Sequence, residues 1–159
     1  MKKFLSILLM LVIAASFLTG CSDPVYDDLE NYLNVEMKQV NADYEKLTAE
    51  IGAWETMEDD AAIMDSLNNV LLPIVNGSLE ALKEINPATE EVKAIKEKYV
   101  KVMETYKESF EALVEGAETQ DEETIMLGYE KMSEAVDILD EYNKALEELA
   151  AEYGSEIEY

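Results

Sequence analysis

The chain has 159 residues and sets 36 Asp plus Glu against 12 Lys, with no Arg, for a formal net charge of −24. The absence of His and the single Cys exclude imidazole base chemistry, His metal sites, an internal disulfide and thiolate zinc sites, and no guanidinium is present to clamp phosphate or carboxylate. The acidic balance argues against nucleic acid, whose phosphates need cationic counter-charge, while 48% apolar residues suffice for one folded core at this length.

Met1-Lys2-Lys3 is a basic start, and Phe4 to Leu18 is an apolar run of 15 residues interrupted by Ser6 and Ser16. A stable membrane-crossing helix needs roughly 20 apolar residues, so this run has the length of a signal peptide. Leu18-Thr19-Gly20-Cys21 follows it. An aliphatic residue, two small residues and a Cys behind such a run resemble the lipobox of bacterial lipoproteins. The resemblance covers residues 1–21. It implies a signal peptide over 1–20, cleavage between Gly20 and Cys21, diacylglycerol on the Cys21 thiol, and a further acyl chain of the palmitate type on the new amine. An uncleaved anchor with Cys21 as a bystander is the alternative, and both readings put residues 22–159 outside the cytoplasm. Two or three acyl chains hold far more firmly than one, at about 0.8 kcal/mol per buried methylene. Removal of Lys2 and Lys3 leaves ten Lys against 36 acids, a net charge of −26. Anionic headgroups repel such a surface. Its expected partners are a basic protein or peptide, or weakly bound divalent cations.

Residues 21–23 form a short tether. Asp23-Pro24 then predicts a helix start, with Asp as cap and Pro in the first turn. Leu33, Met37, Val40, Tyr44, Leu47, Ile51 and Trp54 are spaced as a heptad seam, which predicts one helix over about 24–54. Thr56-Met57-Glu58-Asp59 has capping-box spacing. The second helix, to about Ile85, carries Met64, Leu67, Leu71, Ile74 or Val75, Leu82 and Ile85 on its seam. Pro73 lies inside it and predicts a kink near Leu72 or a split.

Asn86-Pro87 breaks the chain again, and Thr89 caps a third helix with the seam Val92, Ile95, Tyr99, Val102, Tyr106, Phe110 and Leu113. Gly116 lies near its end, and 118–121 is the turn. The fourth helix runs from about Asp121 to Tyr153 through Ile125, Tyr129, Met132, Val136, Leu139, Tyr142, Leu146 and Leu149, with Gly154 as its stop and 155–159 frayed. Short connections between such helices force antiparallel neighbours. The expected fold is all-α, an antiparallel up-down-up-down bundle over 24–154 with four long helices, the second kinked or split near Pro73. Residues 82–153, with Ile85-Asn86-Pro87 leading into Thr89-Glu90-Glu91-Val92-Lys93, a Tyr-rich third helix and a Glu-rich fourth, resemble the helical domains of small uncharacterised lipoproteins of Gram-positive bacteria. Lys used without any Arg points the same way.

No constellation specifies catalysis or a cofactor. Pairs such as Glu111 with Glu115, or Glu148 with Glu152, are what an acid-rich helix surface produces. The Glu-x-x-His pairs of di-iron bundles need a His, and Asp121-Glu122-Glu123 lacks the alternation of a calcium loop. Topology suggests one patch. With Cys21 at the membrane, the turns after the first and third helices meet at the distal end. Glu58, Asp59 and Asp60 beside Trp54 would then join Glu115, Glu118, Asp121, Glu122 and Glu123 in a surface for cations or a basic partner. The plainer reading is that these acids stabilise helix starts. A second candidate is the bend at 73–78, as a gap for a small apolar ligand or partner helix, and a third is an aromatic box of seam tyrosines. The expected function is a lipid-anchored, non-enzymatic, monomeric binding or interaction module at the cell envelope. The alternative is a cation-responsive structural or sensory module using the acidic tip.

Overall fold

Asp23 and Pro24 open the first helix as their chemistry dictates. The Val25 N–H donates to Asp23 Oδ1 at 2.9 Å, and Pro24 stands where a missing N–H costs nothing. The computed structural model describes residues 23–57 and 59–153. The lipobox residues, Glu58 and Gly154 to the C-terminus lie outside them. Among the described residues the chain is all-helical, with six α-helices: α1 (Pro24–Asn31), α2 (Lys38–Ala53), α3 (Asp60–Ser66), α4 (Leu72–Glu84), α5 (Glu90–Thr119) and α6 (Glu122–Tyr153).

Two of the four expected helices are divided, each by a π turn. The first interruption, Tyr32–Glu36, separates α1 from α2, and the Met37 N–H donates to the Tyr32 carbonyl five residues back at 2.9 Å. One extra residue in a helical turn rotates the face by roughly 100°. Adjacent Tyr32 and Leu33 can therefore both be buried, with Met37 and Val40 following on the core side. The heptad spacing alone predicts an unbroken 24–54 helix, and the burial of two neighbouring bulky residues overturns it.

The second π turn, Leu67–Leu71, precedes α4, where the Leu72 N–H bonds the Leu67 carbonyl. Pro73 sits at the second position of α4. Its ring would strike the carbonyl four residues back and it donates no hydrogen bond. The wide turn absorbs that conflict upstream, and residues 60–84 stay helical throughout. The irregularity therefore precedes the proline. Another correction concerns the start of α3. Asp59 caps it by accepting from the Ala62 N–H at 2.7 Å, while the Thr56 hydroxyl bonds back to the Ala53 carbonyl.

The most extensive helix pairing among the described residues is α5 with α6. Gln120, at φ 56°, closes α5 in the left-handed conformation, and the Asp121 N–H reaches the Gly116 carbonyl at 2.9 Å. Two glycines allow close approach past this turn. A Cβ on Gly116 would lie 2.7 Å from the Ile125 backbone N, and one on Gly128 2.6 Å from Leu113 Cγ. Buried Ser109 donates to the Gly128 carbonyl at 2.7 Å. Gly128 thus takes a core position, and Tyr129, expected on the seam, is 52% exposed.

α4 packs on α5 and α2, and α1 packs on both α5 and α6. The middle of α1 is tied to the start of α5 by Asp28. Its carboxylate accepts from the Ala88 N–H (3.0 Å), the Thr89 N–H (2.8 Å) and the Thr89 hydroxyl (2.6 Å). Burial of Asp28 opposes its charge, but these donors and nearby Lys93 hold it below the ordinary carboxylate range. Tyr99 and Tyr142 meet edge to face at 5.0 Å, Tyr44 lies 6.5 Å from Tyr99 and 6.4 Å from Tyr106, and Tyr106 lies 5.8 Å from Phe110. Those are distances of rings in mutual contact. The tyrosines fill the core with one another, which leaves the aromatic-box reading without support.

Candidate functional site

The non-helical connection at Asn86-Pro87 turns α4 back along α5, and the outer seam between them holds a groove of about 560 Å³. Its floor is apolar, with Leu79 and Leu82 from α4 and Val100 from α5. Its walls are charged. Lys83 and Lys96 stand at the end where α4 stops and α5 begins, and Glu104, Lys107, Glu108 and Glu111 continue along α5. The α5 residues 96, 100, 104, 107, 108 and 111 recur at the spacing of one helix face.

Three of the ten mature lysines therefore converge in a chain dominated by acids. Their partners separate them. Lys96 donates to the Ile85 carbonyl and satisfies the exit of α4. Lys107 lies 3.6 Å from Glu111, and Glu108 lies 3.1 Å from Lys131. Lys83, Lys96 and Glu104 have no ion-pair partner among the described residues, and Lys83 and Glu104 are exposed. The groove thus offers, among the described residues, two cations without a carboxylate partner, an apolar floor and one anion without a cationic partner.

The bend expected at 73–78 lies beside this groove rather than in it, since the lining begins at Leu79. Sequence reasoning passed over the groove because Lys83, Lys96 and Glu104 are ordinary flank residues on their own helices. The signal available was the run Lys96, Val100, Glu104, Glu108 at four-residue intervals. Ser78 Oγ, Tyr32 Oη and Glu36 Oε2 are buried without a hydrogen-bond partner among the described residues. Burial pushes the Tyr32 phenol well up, and the neighbouring Tyr142 adds to this.

Two of the acidic tip residues, Asp59 and Asp121, are occupied as caps. Asp59 holds the Ala62 N–H. Asp121 accepts from the Thr124 hydroxyl at 2.9 Å and the Glu123 N–H at 3.0 Å, which keep it below its ordinary range. Asp60 opens α3, Glu122 and Glu123 open α6, and Glu115 and Glu118 lie in the last turns of α5. All of these are exposed. Among the described residues no three acids form a group able to hold a metal ion. Trp54 Nε1 donates to the Ser66 hydroxyl at 2.9 Å, linking the end of α2 to the end of α3.

Residues 26–154 match the family described as "Uncharacterised lipoprotein PM1805", and the chain belongs to that family. The match begins inside α1 and runs one residue past α6, so it covers all of the helical domain but the first two residues of α1. No curated protein and no solved structure matches the chain. Among the described residues no helix is long and apolar enough to cross a membrane.

Proposed function

We propose that this lipoprotein is a non-enzymatic interaction module held at the extracytoplasmic face of the cell membrane, in a Gram-positive envelope, by acyl chains on Cys21. It docks its partner in the α4–α5 groove. Family membership supports a lipid-anchored protein, and the lipobox supplies the anchoring residue. The observation that carries the binding role is the groove itself, an apolar floor between the unpaired charges of Lys83 and Glu104. An antiparallel arrangement of the two divided segments with α5 and α6 suits this role. Asp28 joins the middle of α1 to the entrance of α5, and Tyr153 of α6 feels the charges of Glu91 and Asp23. The starts of α1 and α5 and the end of α6 then share the tethered end. A field of −26 keeps the domain off anionic headgroups, so the groove stays accessible.

The test places a photo-reactive residue at Leu79, inside the groove, or at exposed Lys144 of α6 in cells making the lipidated protein. A discrete adduct from position 79 that is missing from position 144 is expected. Equal labelling from both positions, or none from 79, would overturn the binding role.

A further inference from the structure

Resting on the groove reading above, we infer that the groove takes a short apolar peptide with free ends, its carboxylate at Lys83 and Lys96 and its amine at Glu104. The chemistry of the walls selects this class. A ligand with one anionic head would satisfy the lysines and leave its tail facing the Glu104 carboxylate. A polyanion would meet the repulsion of the whole domain. A zwitterion has no net charge, so that field neither attracts nor expels it, while each end meets an unpaired group of opposite sign. An apolar body between the ends matches Leu79, Leu82 and Val100.

Length supplies an independent constraint. Lys96 and Glu104 are eight residues apart on α5, about 12 Å along the axis at 1.5 Å per residue. Extended peptide covers at most about 3.3–3.6 Å per residue, so roughly four residues bridge the two ends. Lys83 joins Lys96 at the carboxylate end because Lys96 reaches the carbonyl of Ile85, two residues beyond Lys83. Lys107, Glu108 and Glu111 are already in ion pairs, which leaves Glu104 to meet the amine. The polarity of binding is therefore defined.

The test is calorimetric titration of the lipidated chain, held in nanodiscs of zwitterionic lipid, with a four-residue peptide of leucine, valine and alanine. Its N-acetylated form, its C-amidated form and octanoate are titrated in parallel. Blocking either end should weaken binding at least tenfold, and Lys83→Glu and Glu104→Lys should each do the same. Both residues are exposed, so the variants should melt with the wild type. Equal binding of the capped peptides, equal binding of octanoate, or no heat from the free peptide at millimolar concentration would overturn the inference. If position 79 still forms its adduct while the peptide fails, only the ligand class is wrong. Loss of both removes the groove reading as well.

Discussion

Asp28→Ala should unfasten α1 from α5. The carboxylate of Asp28 receives three hydrogen bonds from residues 60 and 61 positions away, two of them from Thr89. Each is worth about 1 kcal/mol net. The bond from Ala88 is exposed, so solvent screening lowers the total to about 2 kcal/mol. For a domain of this size that is a drop of about 6–10 °C in Tm. Thermal unfolding at pH 7, followed by helical circular dichroism, reads it directly. The pH dependence tests the cause. Asp28 titrates below its ordinary 3.8 in the folded chain. Its contribution is thus fully present above pH 3.8 and is lost as pH falls through the folded value. The gap between wild type and variant should be constant from pH 7 to pH 5 and should narrow as pH falls below 3.8. A variant that melts within 1 °C of wild type at pH 7 would refute the reasoning, as would a gap that persists at full size where Asp28 is protonated.

Other outcomes follow from single positions. Gly116→Ala should lower stability by about 1–3 kcal/mol, because its Cβ meets the Ile125 backbone; Gly52→Ala and Gly77→Ala, with nothing within 4 Å, should each raise it by about 0.5–1 kcal/mol in denaturant titrations. Gln120→Gly should also stabilise, by about 1 kcal/mol, since Gln120 holds a left-handed conformation that glycine adopts freely. Cys21→Ser should abolish fatty-acid labelling in cells, and a labelled mutant would remove the anchor from the account. Millimolar calcium should move Trp54 fluorescence no further in the wild type than in a variant with Asp59, Asp60, Asp121 and Glu122 changed to amides, because Asp59 and Asp121 already serve as caps. A response confined to the wild type would restore the cation-responsive reading.

Local chemistry was legible in the chain wherever one residue decides one backbone event. Asp23 before Pro24 and Thr89 before Glu90 cap helices because a short oxygen-bearing side chain reaches a free N–H, whatever the rest of the fold does. The seam from Val92 to Leu113 was legible for a similar reason, since helical period alone brings those residues to one face, and on α6 the same holds for Met132, Leu139, Tyr142 and Leu146, while Ala135 is buried in place of the expected Val136. Contacts across elements were not. The π turn at Tyr32–Glu36 exists because two adjacent bulky residues are both buried, and the one at Leu67–Leu71 relieves a proline two positions later. Gly128 displaced Tyr129 from the core only because α5 approaches α6 too closely there for a Cβ. Asp28 is one acid among 36 until folding sets it against the start of α5. Lys83 and Glu104 are equally plain in sequence, and the pairing of α4 with α5 alone places both charges beside one apolar floor, because side chains 21 residues apart acquire a common environment only through packing.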